Sequence, residues 1–338
     1  MRACGLVLLT TGWTLALPGG CGLVQIDEVQ IDEVQIDEVP INAPPATDAQ
    51  VDDARAPEPR IVAEGAFPFR LALDGDDLYW AEFTTGQLFR HSLATGESTE
   101  LLPARMRADV YGLLVTADYA YVCDSWTGEI HRIEKSSGES AVWVRSPCTD
   151  LAVHGAHLFW TSIDEVAPML SRMPLAGGPV EALSDIGPSR NLLLTEDHLY
   201  WTSFIQGEVF AWNAAEGVRS VAQSETNGPW GLSANETFVY WTEFDSAEPG
   251  IFREDKRTRT VERFAVDQPG AHSVIVDEGN VYWTNQLEGT LMQLVDGRTR
   301  VVAEGLISPQ NLALSRDWLI WSSRSGAVQA LTRESPRF

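Results

Sequence analysis

The stretch Leu78-Tyr79-Trp80-Ala81-Glu82 (LYWAE, 78–82) decides the fold, because variants of it return along the chain as AHLFWTS, DHLYWTS, TFVYWTE, NVYWTN and WLIWSS. Aligning these variants defines one marker position per unit, occupied by Trp80, Val122, Trp160, Trp201, Trp241, Trp283 and Trp321. Successive markers are 42, 38, 41, 40, 42 and 38 residues apart. A period of about 40 residues indicates a repeat architecture.

Each unit has the same internal order. Nine residues before each marker stands an aliphatic residue, in turn Leu71, Leu113, Leu151, Leu192, Leu232, Val274 and Leu312. A polar turn follows the marker, then a second alternating run such as GQLFRHSLATG, and then a short closing strand such as TELLPA. Four short strands per unit, without helical periodicity, predict an all-β, seven-bladed β-propeller with four-stranded blades over residues 60–338.

The marker strand is apolar at consecutive positions rather than at alternate ones. A blade lies between two neighbouring blades, so both faces of its inner strands are buried and a continuous apolar run is expected. We therefore interpret the repeated tryptophans as packing between blades. The alternative is that each Tyr-Trp pair stacks on a sugar or a cofactor.

The two ends of the repeat region complement each other. Residues 300–305 read RVVAEG and close the sixth unit, whereas the seventh unit reaches Phe338 without an equivalent strand. Residues 60–65 read RIVAEG. We predict that this N-terminal strand closes the last blade, which removes exposed sheet edges. A count of six blades would require the second unit, with AYVCDSW in place of LYWTS, to be an insertion.

Composition excludes two classes of partner. The 338-residue chain has a formal net charge of −24, so its surface repels nucleic-acid phosphates and anionic lipid. No stretch of 18 apolar residues occurs that would suggest a transmembrane helix. Contact with a membrane is expected only through an N-terminal lipid anchor.

Residues 1–21 resemble an export signal, with one Arg, an apolar run and small residues. Their end, LPGGC, resembles a lipobox that would acylate Cys21, although Pro18 departs from the usual pattern. The alternative is a secreted protein cleaved nearby. Residues 22–59 contain three tandem Gln-Ile-Asp-Glu-Val repeats and predict an acidic flexible linker, with calcium chelation as the alternative. We expect a cell-envelope lipoprotein, facing the periplasm or on the outer membrane, or else a secreted protein.

One edge of the propeller gathers polar residues. The first strand of each blade begins, and its second strand ends, at the same face, which we call the channel face. The candidate ligand-binding residues at the strand beginnings are Arg70, Asp150, Arg190, Asn191, His272 and Asn311, beside Trp230 and Gln310. Glu82, Asp124, Glu243 and Asn285 follow the markers and are candidate ligands for Ca²⁺ or Mg²⁺. The alternative is a channel that holds only water.

Cys123 follows the second marker, and Cys148 precedes the first strand of the third unit. Both positions lie at the channel face of adjacent blades, so a disulfide is expected in an oxidising compartment. The alternative is two small buried thiols without a bond.

The motifs LYWTS (199–203) and VYWTE (239–243) resemble those of bacterial envelope propellers, of the YWTD repeats of the low-density-lipoprotein receptor and of virginiamycin B lyase-like propellers. The resemblance covers residues 60–338 and implies functions from ligand binding to lyase chemistry and scaffolding. The lyase-like pattern implies a His at a strand beginning, a Glu after the second strand and a metal. His272 matches the first position and is a candidate general base. Asn285 stands where the Glu would be.

These observations favour a non-enzymatic binding or scaffolding module, with a protein or glycan partner at the channel face. The alternative is a metal-dependent lyase or lactone hydrolase with its site in the axial channel.

Overall fold

The computed structural model describes residues 58–65, 67–105, 107–164, 170–185, 189–224, 228–277, 279–295 and 297–333. The predicted export signal, Cys21 and the Gln-Ile-Asp-Glu-Val repeats lie outside the described residues. The described residues form seven four-stranded antiparallel sheets and contain no helix long and apolar enough to span a membrane.

The first three sheets follow the chain in order. The first blade contains β2 (Pro68–Asp74), β3 (Asp77–Glu82), β4 (Leu88–Ser92) and β5 (Ser98–Leu102). The second contains β6 (Val110–Val115), β7 (Tyr119–Asp124), β8 (Glu129–Glu134) and β9 (Ser140–Arg145). The third contains β10 (Asp150–His154), β11 (His157–Thr161), β12 (Leu170–Pro174) and β13 (Glu181–Ser184).

The next three sheets repeat this order. The fourth blade contains β14 (Asn191–Leu194), β15 (Leu199–Ser203), β16 (Glu208–Asn213) and β17 (Gly217–Gln223). The fifth contains β18 (Pro229–Ala234), β19 (Phe238–Glu243), β20 (Gly250–Asp255) and β21 (Val261–Val266). The sixth contains β22 (Ala271–Asp277), β23 (Asn280–Asn285), β24 (Thr290–Val295) and β25 (Arg298–Ala303).

The seventh blade joins the two ends of the repeat region. It contains β26 (Pro309–Leu314), β27 (Trp318–Ser323), β28 (Ala327–Thr332) and β1 (Arg60–Glu64). β1 pairs antiparallel with β28, and Arg60 lies opposite Ala330. The chain continues past this edge, where the Gly65 backbone N–H donates to the Gly326 carbonyl over 2.7 Å. The predicted closure of the last blade by the N-terminal strand is confirmed.

The nine residues between each aliphatic residue and its marker follow from the register of the first two strands of each blade. In every blade the aliphatic residue and the marker are direct cross-strand partners, as in Leu71 with Trp80 and Leu312 with Trp321. The second unit follows the same rule with Leu113 and Val122 and has all four strands. It is therefore a blade, and the count of seven is confirmed.

The marker tryptophans are wedges between blades. All six are at most 2% exposed. Trp160 of the third blade packs with Tyr121 and Ile130 of the second, and Trp283 of the sixth packs with Tyr240 of the fifth. Burying one such ring removes about 150–250 Å² from water, which contributes at most roughly 4–6 kcal/mol. The interpretation of the repeated tryptophans as inter-blade packing is confirmed.

Cys123 and Cys148 form a disulfide, with their Cα atoms 5.8 Å apart. Both residues are at most 1% exposed. The bond ties the end of β7 to the segment that leads into the third blade. It lies in the unit that has a valine in place of the marker tryptophan. In the chain-entropy treatment, closing this 25-residue loop contributes about 3.5 kcal/mol. The predicted pairing is confirmed.

Candidate functional site

The strand register places the predicted site residues at one face. Pro68 at the start of β2 pairs with Glu82 at the end of β3, and Asp150 pairs with Thr161 in the same way in the third blade. The connections that follow the second strands and precede the first strands therefore meet at the channel face. Side chains from all seven blades can contribute there.

Arg70 occupies the centre of the channel. Its Nη2 donates to the Asn191 Oδ1 atom at 2.8 Å and to the Arg190 carbonyl at 2.9 Å. Nη2 also lies 3.5 Å from the Asp150 carboxylate, and Nη1 lies 3.4 Å from the Asn311 Oδ1 atom. A backbone carbonyl of the second blade accepts from Nε. One guanidinium therefore links the first blade to the second, third, fourth and seventh.

The partners of Arg70 are fixed by bonds of their own. The Asn191 Nδ2 atom donates to the Trp230 carbonyl at 2.8 Å, and the Asn311 Nδ2 atom donates to the Phe69 carbonyl at 2.8 Å. The Asp150 carboxylate accepts from the backbone N–H groups of Leu151 and Leu192, each at 2.9 Å. Four of the six predicted ligand-binding residues thus meet around the guanidinium of a fifth, Arg70, with Arg190 contributing its carbonyl.

Burial raises the pKa of Asp150, while the charge of Arg70 and the two backbone N–H donors act in the opposite direction. A carboxylate in this position is costly unless a cation faces it. The oxygen-rich part of the channel that contains Asp150, Asn191 and Asn311 holds a cation of the protein itself, the guanidinium of Arg70. A divalent ion at the same point would be repelled by the guanidinium.

The side chains of the four candidate metal ligands each have a hydrogen-bond or ion-pair partner nearby in the protein. The Phe67 N–H donates to Glu82, the Trp241 Nε1–H donates to Glu243 at 3.1 Å, and Asn285 donates to Gln268 at 2.9 Å. Arg105 lies 3.1 Å from Asp124, which also accepts two backbone N–H bonds. Across the described ranges, no three His, Cys, Asp or Glu side chains are grouped to hold a metal ion.

Two of these carboxylates are enclosed by glycine loops. A Cβ atom at Gly65 would overlap the carboxylate of Glu82, and one at Gly228 would overlap that of Glu243. A glycine that packs closely against a carboxylate therefore occurs in both the first and the fifth blade.

Burial raises the pKa of Glu243 to about 7, against hydrogen bonds from Trp241 and Ser224 that lower it. This carboxyl group is therefore only partly ionised near neutral pH and is a weak ligand for a hard cation.

An aromatic cavity of about 460 Å³ opens at the channel face. Its lining comes mainly from two repeat positions. Eleven residues before the marker stand Phe69, Tyr111, Arg190, Trp230, His272 and Gln310, and three residues after it stand Phe83, Phe204, Phe244, Gln286 and Arg324. Phe67 and Leu287 complete the wall. We name this space the aromatic cavity.

The walls of the aromatic cavity are two packed groups of rings. Phe83 lies 5.4 Å from Phe69 and 5.1 Å from Tyr111, both edge to face. Trp230 lies 5.0 Å from Phe204 and 5.2 Å from His272. These contacts fix the rings before any ligand arrives, so binding would cost little side-chain ordering.

The charged groups of the aromatic cavity are arginines. Arg190 lies over the rings of Tyr111 and Trp230, at 5.0 and 5.3 Å from their centroids, and Arg324 lies 5.8 Å from that of Phe67. The lining residues include no Asp or Glu. His272 Nδ1, Gln286 Nε2 and Gln310 Oε1 are buried and have no hydrogen-bond partner among the described residues.

His272 lies between the two spaces of the site. It lines the aromatic cavity and also a smaller cavity of about 170 Å³ that includes Arg70, Asn191 and Asn311. Burial, with the charges of Arg70 and Arg324, lowers the pKa of His272 to about 3. The imidazole is therefore neutral at neutral pH, and it is a weak base.

Of the six predicted ligand-binding residues, four line the smaller cavity and two line the aromatic cavity, with His272 in both. Most of the aromatic wall was not predicted. The sequence prediction considered the residues two positions after the markers, such as Glu82, whose side chains bond to the connections between blades. The ring-bearing position is one residue further along. The signal was present in the sequence, because Phe83, Phe204 and Phe244 occupy this position in three blades.

No family model matches the sequence, and no curated protein does. Solved structures match in fold. Virginiamycin B lyase from Staphylococcus aureus is 12% identical, with a TM-score of 0.71 over 82% of this chain and 99% of that chain. A chain of a nidogen/laminin complex is 17% identical, with a TM-score of 0.52 over 66% and 91%. The extracellular domain of a putative hybrid two-component system from B. thetaiotaomicron is 10% identical, with a TM-score of 0.65 over 81% and 39%. At these identities the likeness extends to the fold alone, and this chain has the fold of a seven-bladed β-propeller.

Proposed function

We propose that this protein is an exported binding module whose ligand site is the aromatic cavity. The observation that carries the proposal is a preformed cavity of about 460 Å³ lined by seven aromatic rings besides His272. Its volume lies in the range of about 300–1,000 Å³ that small-ligand sites have, and its composition of apolar walls with a few polar groups is also typical.

These rings lie outside the packing between strands of adjacent blades, although some contact a ring of the next blade, as Phe83 does with Tyr111. The marker tryptophans fill the blade interfaces, whereas Phe83, Phe204 and Phe244 come after the second strands have ended. Their shared position three residues beyond the marker directs them to the channel face. Aromatic residues grouped around an open space are expected where apolar surface is kept for a ligand.

Replacing Trp230 with alanine is expected to weaken binding of the uncharged fluorescent probe N-phenyl-1-naphthylamine at least about tenfold, as for a central aromatic contact. Probe fluorescence titrated against the full chain measures the dissociation constant. Trp126→Ala is the matched control, because Trp126 is 52% exposed at the same face but does not line the cavity. Equal affinity in the two variants would contradict the proposal.

Besides the ligand of the aromatic cavity, we propose a protein or glycan partner on the surface of the channel face around it. Exposed apolar side chains surround this face, at Trp126, Ile205, Leu287 and Ile307. They follow second strands or precede a first strand, so they lie near the aromatic cavity. The structure of a nidogen/laminin complex among the fold neighbours supports a protein partner.

Export and anchoring form the second part of the proposal. Residues 1–21 direct export, acylated Cys21 anchors the chain in the cell envelope, and residues 22–59 hold the propeller away from the membrane. The disulfide supports an oxidising compartment, and the fold neighbour that is an extracellular domain supports export. Mass spectrometry of the mature N-terminus is expected to find a diacylglyceryl-modified Cys21. An unmodified Cys21, or cleavage elsewhere, would remove the anchor from the proposal.

A metal-dependent lyase or lactone hydrolase is the second candidate. The unpartnered Nδ1 of His272, on the wall of both cavities, favours it. Against it, Asn285 donates to Gln268 and carries no charge to support a base. This candidate requires a stoichiometric divalent ion that is lost on Glu243→Gln, and metal analysis of the purified protein tests that requirement.

A further inference from the structure

We infer that the aromatic cavity selects an anion, and that its ligand is an aromatic acid of small-molecule size. The inference rests on the proposed function, since it specifies the ligand of the same cavity. Its first support is a reversal of charge. The chain has 48 Asp and Glu against 24 Lys and Arg, yet the cavity lining has two arginines and no carboxylate.

Many arginines of this protein face carboxylates. Arg219, for example, contacts Glu254 at 2.9 Å, and Arg172 contacts Glu181 at 2.8 Å. Among the described residues, Arg190 and Arg324 have no such ion pair. In a protein with an excess of acids, two unpaired guanidinium groups at one cavity are available to an anionic ligand.

Arg190 is also held in place. Its guanidinium lies over Tyr111 and Trp230 from the second and fifth blades, and its own carbonyl accepts from Arg70. Ring faces attract the cation but leave the in-plane N–H groups without acceptors. A carboxylate or sulfonate oxygen supplies such acceptors, and a guanidinium already fixed in position loses little freedom on binding it.

The remaining polar groups lie on one side of the cavity. Gln286 and His272 come from the sixth blade, and Gln310 and Arg324 come from the seventh. Gln310 is 1% exposed and His272 is 4% exposed, and each has a buried polar atom without a partner in the described ranges. Buried polar atoms without partners are costly, so their presence on this wall indicates a polar group on the ligand. The opposite walls are aromatic and would contact its ring system.

Two probes with the same ring system separate charge from apolar contact. 8-Anilinonaphthalene-1-sulfonate carries an acid, and N-phenyl-1-naphthylamine is its uncharged counterpart. The full chain is expected to bind the sulfonate about tenfold more tightly than the uncharged probe, because a guanidinium–anion hydrogen bond is the stronger contact. Added salt should lower the affinity for the sulfonate and leave the affinity for the uncharged probe unchanged.

The arginines are tested one at a time. Arg190→Gln and Arg324→Gln are each expected to lower the affinity for the sulfonate by about threefold to tenfold and to leave the uncharged probe within about twofold. Arg298→Gln is the matched control, because Arg298 is exposed on β25 outside the cavity. It should change neither affinity. Competition by 3-phenylpropanoate but not by 3-phenylpropanamide would extend the preference to carboxylates.

The outcomes distinguish the two proposals. If the uncharged probe binds as tightly as the sulfonate, or if the arginine variants weaken both probes equally, the anion selectivity is wrong and the binding module stands. If neither probe binds the full chain, the proposed function is wrong and the inference fails with it.

Discussion

Replacing Arg70 with methionine is expected to lower the free energy of unfolding by about 3–5 kcal/mol, as for removal of one partner from a buried ion pair. Its guanidinium satisfies acceptors from four other blades. Methionine keeps much of the length and volume, so the loss reports the charge and the hydrogen bonds rather than a cavity. Urea unfolding at pH 7.5, followed by tryptophan fluorescence, measures it.

The pH dependence of this loss identifies Asp150 as the residue left without its cation. The pKa of Asp150 is raised in the folded protein, so its charged form opposes folding as pH rises through that pKa. Without the charge of Arg70, the pKa of Asp150 in the folded protein should rise further. The deficit of Arg70→Met should therefore be larger at pH 7.5 than at pH 5, where Asp150 takes up a proton more readily.

Asp150→Asn supplies the control for that interpretation. In the double variant the unpaired charge is gone, so adding Asp150→Asn to Arg70→Met should recover part of the lost stability. Arg298→Met, at an exposed site, should change the free energy of unfolding by no more than about 0.5 kcal/mol. A deficit under about 1 kcal/mol for Arg70→Met, equal at both pH values, would contradict a central role for this guanidinium.

The fold could be predicted from the sequence because one contact is repeated seven times. Trp80 and its equivalents recur with the period of a blade, and the aliphatic partner nine residues earlier is fixed by the hairpin register. Because the repeat shows where each unit begins and ends, the fourth strand missing from the seventh unit could be matched to the extra strand at residues 60–65. Local pattern and global architecture agree here, and this agreement is what makes the prediction reliable.

The site was predictable only in part. The repeat alignment brought Arg70, Asp150, Asn191 and Asn311 to one place, and the structure agrees. The alignment did not reveal that the Arg70 side chain would lie between Asp150, Asn191 and Asn311. Whether a long side chain extends that far depends on the size of the residues that it faces. The repeat makes the seven blades equivalent, so it cannot predict which blade contributes the side chain that the others surround.

The carboxylates after the markers illustrate a second limit. Glu82 accepts from the Phe67 backbone, and Asp124 pairs with Arg105, so each is used locally. Those partners belong to the connections between blades, whose lengths and residues differ from one blade to the next. The shared cation site stays a prediction from residue type and position, and the partner of each carboxylate could not be read from the repeat.

A chain that begins at Gly65 is expected to lose the closed ring. Without β1, the β28 strand becomes an exposed edge, and unpaired edges promote association between chains. Val62 and Ala63 also leave a cluster that joins Leu78 of the first blade to Ile320 of the last. The loss should be a large fraction of the stability of a typical domain, which is about 5–15 kcal/mol. Light scattering after size-exclusion chromatography should detect oligomers or aggregates, and thermal unfolding should show a lowered midpoint.

The matched control is a chain that begins at Glu58, which retains β1 and should remain monomeric with a cooperative transition. A synthetic peptide of residues 58–65, added to the shorter chain, should restore part of the midpoint by pairing with β28, as in strand addition to a sheet edge. A peptide with Val62→Pro should not do so, because proline removes a backbone donor and is poorly tolerated within a strand. A shorter chain that stays monomeric with the midpoint of the control would show that the ring does not depend on closure by β1.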